Sequence, residues 1–257
     1  MKSRLAVSRR GLIAGASAGL GGLVLAGCDR LSRAPSYRDL LNSAEGLTYR
    51  SQRLLEAAQP LAREFPASAI SRIFKLNGSI QPGGAAYHAL LADNFASYRL
   101  AVGGLVARPL SLSLDQLKAL AARTQITRHD CVEGWSAIGQ WSGARLGPLL
   151  LAAGLRPSAR YIVFHCADDL GGPGSPYYES IDLVDAFHPQ TILAYALNGQ
   201  PLPVGHGAPI RLRVERQLGY KQAKFVMGIE AVDRLDGIQG GKGGFWEDRG
   251  YEWYAGI

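Results

Sequence analysis

The chain has 257 residues, 47% of them apolar and 19% charged, a balance that excludes a disordered or fibrous chain and allows a substantial buried core. Its formal charge of +7 falls to +3 once Lys2, Arg4, Arg9 and Arg10 of the first 27 residues are set aside. With no nucleic-acid-binding motif beside it, so small an excess argues against nucleic acid as a partner.

Residues 1–27 run from a basic start through Ser8-Arg9-Arg10-Gly11-Leu12-Ile13 into an apolar, glycine-rich stretch, the layout of an export signal. The paired arginines resemble the twin-arginine type, which carries folded, often cofactor-loaded proteins. An uncleaved anchor stays open. Leu25-Ala26-Gly27-Cys28 resembles a lipobox, which implies membrane attachment through lipid on Cys28. Residues 28–86 are polar and Arg-rich. Helical spacing of Leu54, Leu55, Ala58, Leu61 and Ala62, interrupted by Pro60, predicts a lead-in of helix and loop.

After the Pro82-Gly83-Gly84 break, a main domain is expected over 87–257. Its first strand starts at Arg99, and Ser113 is a plausible N-cap for a helix carrying Leu114, Leu117 and Leu120. Thr124–Arg128 is predicted to be extended and to deliver Cys131; an apolar helix follows over Gly147–Leu155. Further strands are expected over Arg160–Ala167, Thr191–Leu197 before an Asn198-Gly199 turn, Ile210–Glu215, Lys224–Met227 and Ile229–Val232, with a short turn or helix over Ser180–Phe187. The fold class is α+β, weighted toward strands. The glycine-rich loop 240–244 and the aromatic tail Phe245–Tyr254 fit a cap on a pocket, a partner surface or simple packing.

Three chemistries compete for Cys131, which stands in Thr127-Arg128-His129-Asp130-Cys131-Val132-Glu133-Gly134-Trp135. A disulfide with Cys166 would make it structural; His129, two residues before it on an extended strand, faces the same way and would permit a Cys-His nucleophile. Zinc would need a fuller set of ligands at metal spacing. A metal whose other ligands come from an organic cofactor needs only one thiolate, together with cations and backbone N–H groups for a phosphate. His206-Gly207-Ala208-Pro209-Ile210-Arg211 and Gly219-Tyr220-Lys221-Gln222-Ala223-Lys224 offer those groups.

Cys131-Val-Glu-Gly-Trp-Ser with Trp141, then Leu193–Pro203, His206–Arg211 and the Gly-x-Lys-x-x-Lys run resemble, in that order, the sulfite oxidase superfamily of molybdenum-molybdopterin enzymes. The resemblance implies strand-rich mixed sheets with flanking helices and Cys131 as the molybdenum ligand. It also implies cofactor contacts from His206, Arg211, Lys221, Lys224, Gly219, Tyr220, Cys166 and Asn94, with Glu133 and His129 handling protons. The Cys-Val-Glu-x-Trp form is similar to the methionine sulfoxide reductase branch; the histidine at 206 and Cys166 depart from it toward sulfite oxidase. The reaction implied is oxygen-atom transfer with two-electron chemistry, by preference reduction of a small S-oxide or N-oxide, with electrons from a membrane haem or quinol partner. The alternatives are sulfite-type oxidation by the same cofactor, or a non-catalytic exported lipoprotein with a structural cysteine. The length to Ile257 leads us to expect neither a dimerisation nor a haem domain.

Overall fold

A computed structural model describes residues 44, 46–54 and 60–257; the export-signal and lipobox expectations lie outside these residues. The chain divides into two units, 1–57 and 58–257. In the first, 46–54 is helical, and the Thr48 hydroxyl donates to the Ala44 carbonyl at 3.0 Å. Among the described residues no helix is long and apolar enough to cross a membrane.

The second unit is built on two five-stranded sheets. In the first sheet β1 (Arg99–Gly104) lies between β2 (Leu110–Ser113) and β10 (Val226–Val232), and β5 (Tyr161–Cys166) and β6 (Tyr178–Asp182) complete it. β1 and β10 are parallel and the other neighbours antiparallel, so the sheet is mixed. The second sheet joins β3 (Ala122–Cys131), β4 (Trp135–Arg145), β7 (Ile192–Leu197) and β8 (Gln200–Pro201), with β9 (Arg211–Arg213) paired to β7. Helices α1 (Ala85–Ala92), α2 (Leu114–Lys118), α3 (Leu146–Ala153) and α4 (Leu183–Ala186) flank them. The α+β, strand-weighted class holds.

Local chemistry explains several of these elements. Ser113 caps α2 through a reciprocal box with Gln116. Leu146, Leu149 and Leu150 of α3 join Leu100, Ile162, Phe164 and Leu212 in the main core, and Gly154 ends the helix in the left-handed region at φ 70°. The strands expected over 224–227 and 229–232 are one strand, β10, with an irregularity between Val226 and Gly228. The 180–187 stretch divides between the end of β6 and α4.

β4 went unread in the sequence because its inward residues include Ala137, Gly139 and Gly143, poor strand formers that carry little periodic hydrophobic signal. Gly143 is required there: a Cβ would come within 2.6 Å of the Ala194 Cα on β7. The segment before α1 lies across this sheet. Phe65 N–H donates to the Ile126 carbonyl and Ser71 N–H to that of Ile138, both at 2.9 Å, and Phe74 packs edge-on to Trp141.

Candidate active site

Alternation along β3 turns Gln125, Thr127, His129 and Cys131 inward, so the thiol stands at the inner edge of the β3–β4 turn with 9% of the residue exposed. That turn closes through Gly134, at φ 83°, whose N–H donates to the Cys131 carbonyl at 3.0 Å. Burial raises the thiol's pKa; the Glu133 backbone N–H and Asn77 work against the rise, and the Glu133 carboxylate adds to it. Asn77 Nδ2 lies 3.9 Å from Sγ.

Cys131 opens into a cleft whose empty space, open solvent at its mouth included, is about 710 Å³. Glu133, Arg211, Gly219, Tyr220 and Lys224 line it as well. Thus a strand end, a three-residue strand and the turn Gly219–Lys221 meet at one cavity. Gly219 can approach the β3 backbone only because it has no side chain: a Cβ would lie 2.6 Å from His129 Nε2.

The two cations of the cleft are held by backbone carbonyls. Arg211, 1% exposed, donates to the carbonyls of His206 and Gln222, each at 3.1 Å, and its Nε has no hydrogen-bond partner among the described residues. Burial and then Arg213 lower its pKa to about 9. Lys224 donates to the carbonyls of Asn77 at 2.7 Å, Gly205 at 3.2 Å and Ser79. Burial and then Arg211 lower its pKa to about 7, with Asp168 offsetting part. A buried donor without an acceptor is costly, and of the two cations only Arg211, at Nε, has one.

The remaining expected site residues do not line this cleft. His129 is fully buried behind it, where its Nδ1 accepts from Arg213 at 3.0 Å; burial and the Arg213 and Arg211 charges hold its pKa far down, so it is neutral. His206 presents its ring edge-on to Phe74 and contributes its carbonyl to Arg211; burial and then the Arg211 and Lys224 charges lower its pKa to about 4. Lys221 is fully buried between Glu179 and Glu247, 2.5 Å from the latter. Cys166 ends β5 as a free thiol whose pKa burial pushes well up, and Cys131 is free too. Asn94, at φ 53°, lines a different cavity beside Phe95 and Pro209.

Other cleft residues escaped the sequence reading. Asn77 and Ser79 arrive from a stretch that reads as lead-in, and Asp168 comes from a loop whose glycines read only as a turn. Trp246 and Tyr251 arrive from the aromatic tail, for which a pocket cap was one option.

The family model for the oxidoreductase molybdopterin binding domain matches residues 88–237. The chain is 41% identical over 199 residues to the putative protein-methionine-sulfoxide reductase subunit YedZ1 of Azospira oryzae, covering 76% of this chain and 68% of that one. It is 40% identical over 143 residues to the protein-methionine-sulfoxide reductase catalytic subunit MsrP of Xanthomonas axonopodis, covering 52% of this chain and 44% of that one. The matched region is therefore less than half of that MsrP. Among solved structures, the sulfane dehydrogenase SoxCD of Paracoccus pantotrophus shares the fold with a TM-score of 0.50 at 24% identity, over 54% of this chain and 39% of that chain.

Proposed function

Because the chain belongs to the molybdopterin-binding oxidoreductase family, we propose that it is an exported enzyme that reduces S-oxides, or N-oxides of similar size, with a molybdenum-molybdopterin cofactor. The observation that carries the reading is the meeting of one buried thiol with two buried cations that hydrogen-bond to backbone carbonyls rather than to a carboxylate, Asp168 in the same cleft offsetting part of the Lys224 charge. The residues fit the group. Cys131 offers a single soft ligand to a metal whose other ligands the pterin brings, and the partnerless Nε of Arg211 beside Lys224 suits the pterin's phosphate. Among the described residues no three His, Cys, Asp or Glu side chains cluster to hold a metal unaided.

When bound, the cofactor supplies oxygen-atom transfer coupled to two electrons. The balance is one S-oxide, two electrons and two protons giving one thioether and one water. Electrons are assigned to a membrane haem or quinol partner. Glu133 is exposed at the cleft, where its carboxylate accepts from Trp135 Nε1 at 3.0 Å, so it can exchange protons between solvent and the cleft. His129, neutral and facing Arg213, orients that arginine rather than carrying protons to the cleft.

The organisation we propose is a twin-arginine signal over 1–27, a lipid-bearing Cys28, a lead-in over 28–86 and the catalytic domain over 87–257, with turnover on the outer, periplasmic face of the cytoplasmic membrane. The test is oxidation of a reduced viologen dye by the cofactor-loaded protein in the presence of methionine sulfoxide, dimethyl sulfoxide or trimethylamine N-oxide. Wild-type protein is expected to turn over, and Cys131→Ser to lose activity while keeping its pterin. Undiminished turnover by Cys131→Ser contradicts the reading.

A further inference from the structure

The cleft is lined by two chemically different kinds of side chain. Arg211, Lys224 and Gln222 line it with polar groups, Asp168 and Glu133 among their neighbours in the lining, whereas Val132, Trp246 and Tyr251 are apolar or aromatic. Trp246 and Tyr251 stack with ring centroids 5.2 Å apart and planes 29° from parallel, and Tyr220 meets Tyr251 edge-on. Tyr251 is nevertheless 41% exposed and Val132 46%, so the mouth keeps apolar surface in water. Stacked rings left facing a cleft serve a neutral, polarisable guest better than a hydrated oxyanion.

The wall is also held in place. Glu247, next to Trp246, forms a buried ion pair with Lys221 at 2.5 Å, and Lys221 pairs as well with Glu179 on β6. Asp248 accepts from Tyr178 Oη at 2.6 Å and from the N–H groups of Gly240 and Lys242 at 3.0 Å. Tyr251 N–H closes the loop onto the Trp246 carbonyl at 3.0 Å. This anchoring holds the two rings before a substrate arrives, so little ordering entropy is lost on binding. Residues 238–257 lie beyond the span matched by the family, so the shared domain does not itself specify this wall.

We propose that Trp246 and Tyr251 form the substrate's docking wall, a specificity element that takes the alkyl flank of an organic S-oxide. The inference rests on the S-oxide reading of the cleft and names the part of the substrate that the chain recognises. An inorganic oxyanion gains nothing from such a wall, and dimethyl sulfoxide, with only methyl groups beside sulfur, gains little.

The experiment uses the molybdenum-loaded enzyme and compares methionine sulfoxide with dimethyl sulfoxide for wild type, Tyr251→Ala, Trp246→Ala and Trp246→Phe. Tyr251 is exposed enough for its alanine variant to fold. For each alanine variant KM for methionine sulfoxide is expected to rise about tenfold with kcat within about twofold, while KM for dimethyl sulfoxide rises less than about threefold. Trp246→Phe is expected to restore most of the difference, and molybdenum and pterin content to match wild type. Equal changes for both substrates, or none, overturn the inference while leaving the S-oxide reading intact. Loss of pterin from the alanine variants overturns it as well, because the rings would then hold the cofactor. A loaded wild type that reduces neither S-oxide sinks the S-oxide reading and this inference with it.

Discussion

Lys221 and Lys224 stand three residues apart and are both buried, yet their surroundings are opposite. Lys221 is enclosed by Glu179 and Glu247; burial alone would lower its pKa, but the two carboxylates outweigh that and raise it. Lys224 has three backbone carbonyls, and its pKa falls to about 7. The same contrast separates two arginines of β9. Arg213 is bound by both oxygens of Glu215, at 2.5 and 3.0 Å, whereas among the described residues Arg211 donates only to carbonyls and its Nε has no partner. A buried cation hydrogen-bonded to carboxylates is neutralised within the fold; one held by carbonyls keeps more of its charge for an anion, which is the role we propose for Arg211 and Lys224. Arg211 and Lys224, which hydrogen-bond to no carboxylate among the described residues, line the cleft together with Asp168, whereas Lys221 and Arg213 do not line it.

The sharpest way to break that contrast is to remove the members of each class. Arg211→Met with Lys224→Met is expected to lower pterin and molybdenum content at least about tenfold in folded protein, since both phosphate-facing charges go. Content equal to wild type would end the distinction. Next in size, Lys221→Met leaves two buried carboxylates facing each other and is expected to cost about 3–5 kcal/mol in urea unfolding. Cofactor content per folded molecule should survive in that variant. A neutral Lys221→Met would show that the paired cluster is not structural.

The contrast was only half legible in the sequence. Period-two alternation correctly placed Cys131 and His129 on one face of β3, because that geometry is local. What each side chain faces is not local: His129 meets Arg213 from 84 residues away, and Lys221 meets Glu179 and Glu247 from 42 and 26 residues away. A Gly-x-Lys-x-x-Lys run makes its two lysines look equivalent, and only the distant carboxylates divide them. The cleft wall at Asn77 was missed for the same reason, since it reaches Cys131 across 54 residues from a segment with no strand or helix pattern.

The lysines should also separate by pH. Lys224 has a folded pKa of about 7 against an ordinary 10.5, so between those values the unfolded chain binds more protons. Cofactor-free protein is therefore expected to gain stability from this group as pH rises from 7 to 10, by at most about 1.4 kcal/mol per pH unit. Lys221 has the opposite sign: its raised pKa contributes stability that is complete below 10.5 and lost only as pH climbs through the higher folded value. Unfolding at pH 7 and pH 9 should show a smaller gain for Lys224→Met than for wild type; identical slopes would remove Lys224 as the source. The smallest effect calibrates the rest. Ser113→Ala removes the cap of α2, away from either cluster, and is expected to cost about 1 kcal/mol with cofactor content unchanged.

The central claim is that the cleft around Cys131, Arg211 and Lys224 holds molybdenum-molybdopterin. It is tested most directly by elemental analysis for molybdenum, with the pterin assayed as its fluorescent oxidation product, on protein matured through its own export route in a molybdate-replete host. About one molybdenum and one pterin per folded chain are expected. Folded, exported protein carrying neither would contradict it and return Cys131 to a structural or nucleophilic role.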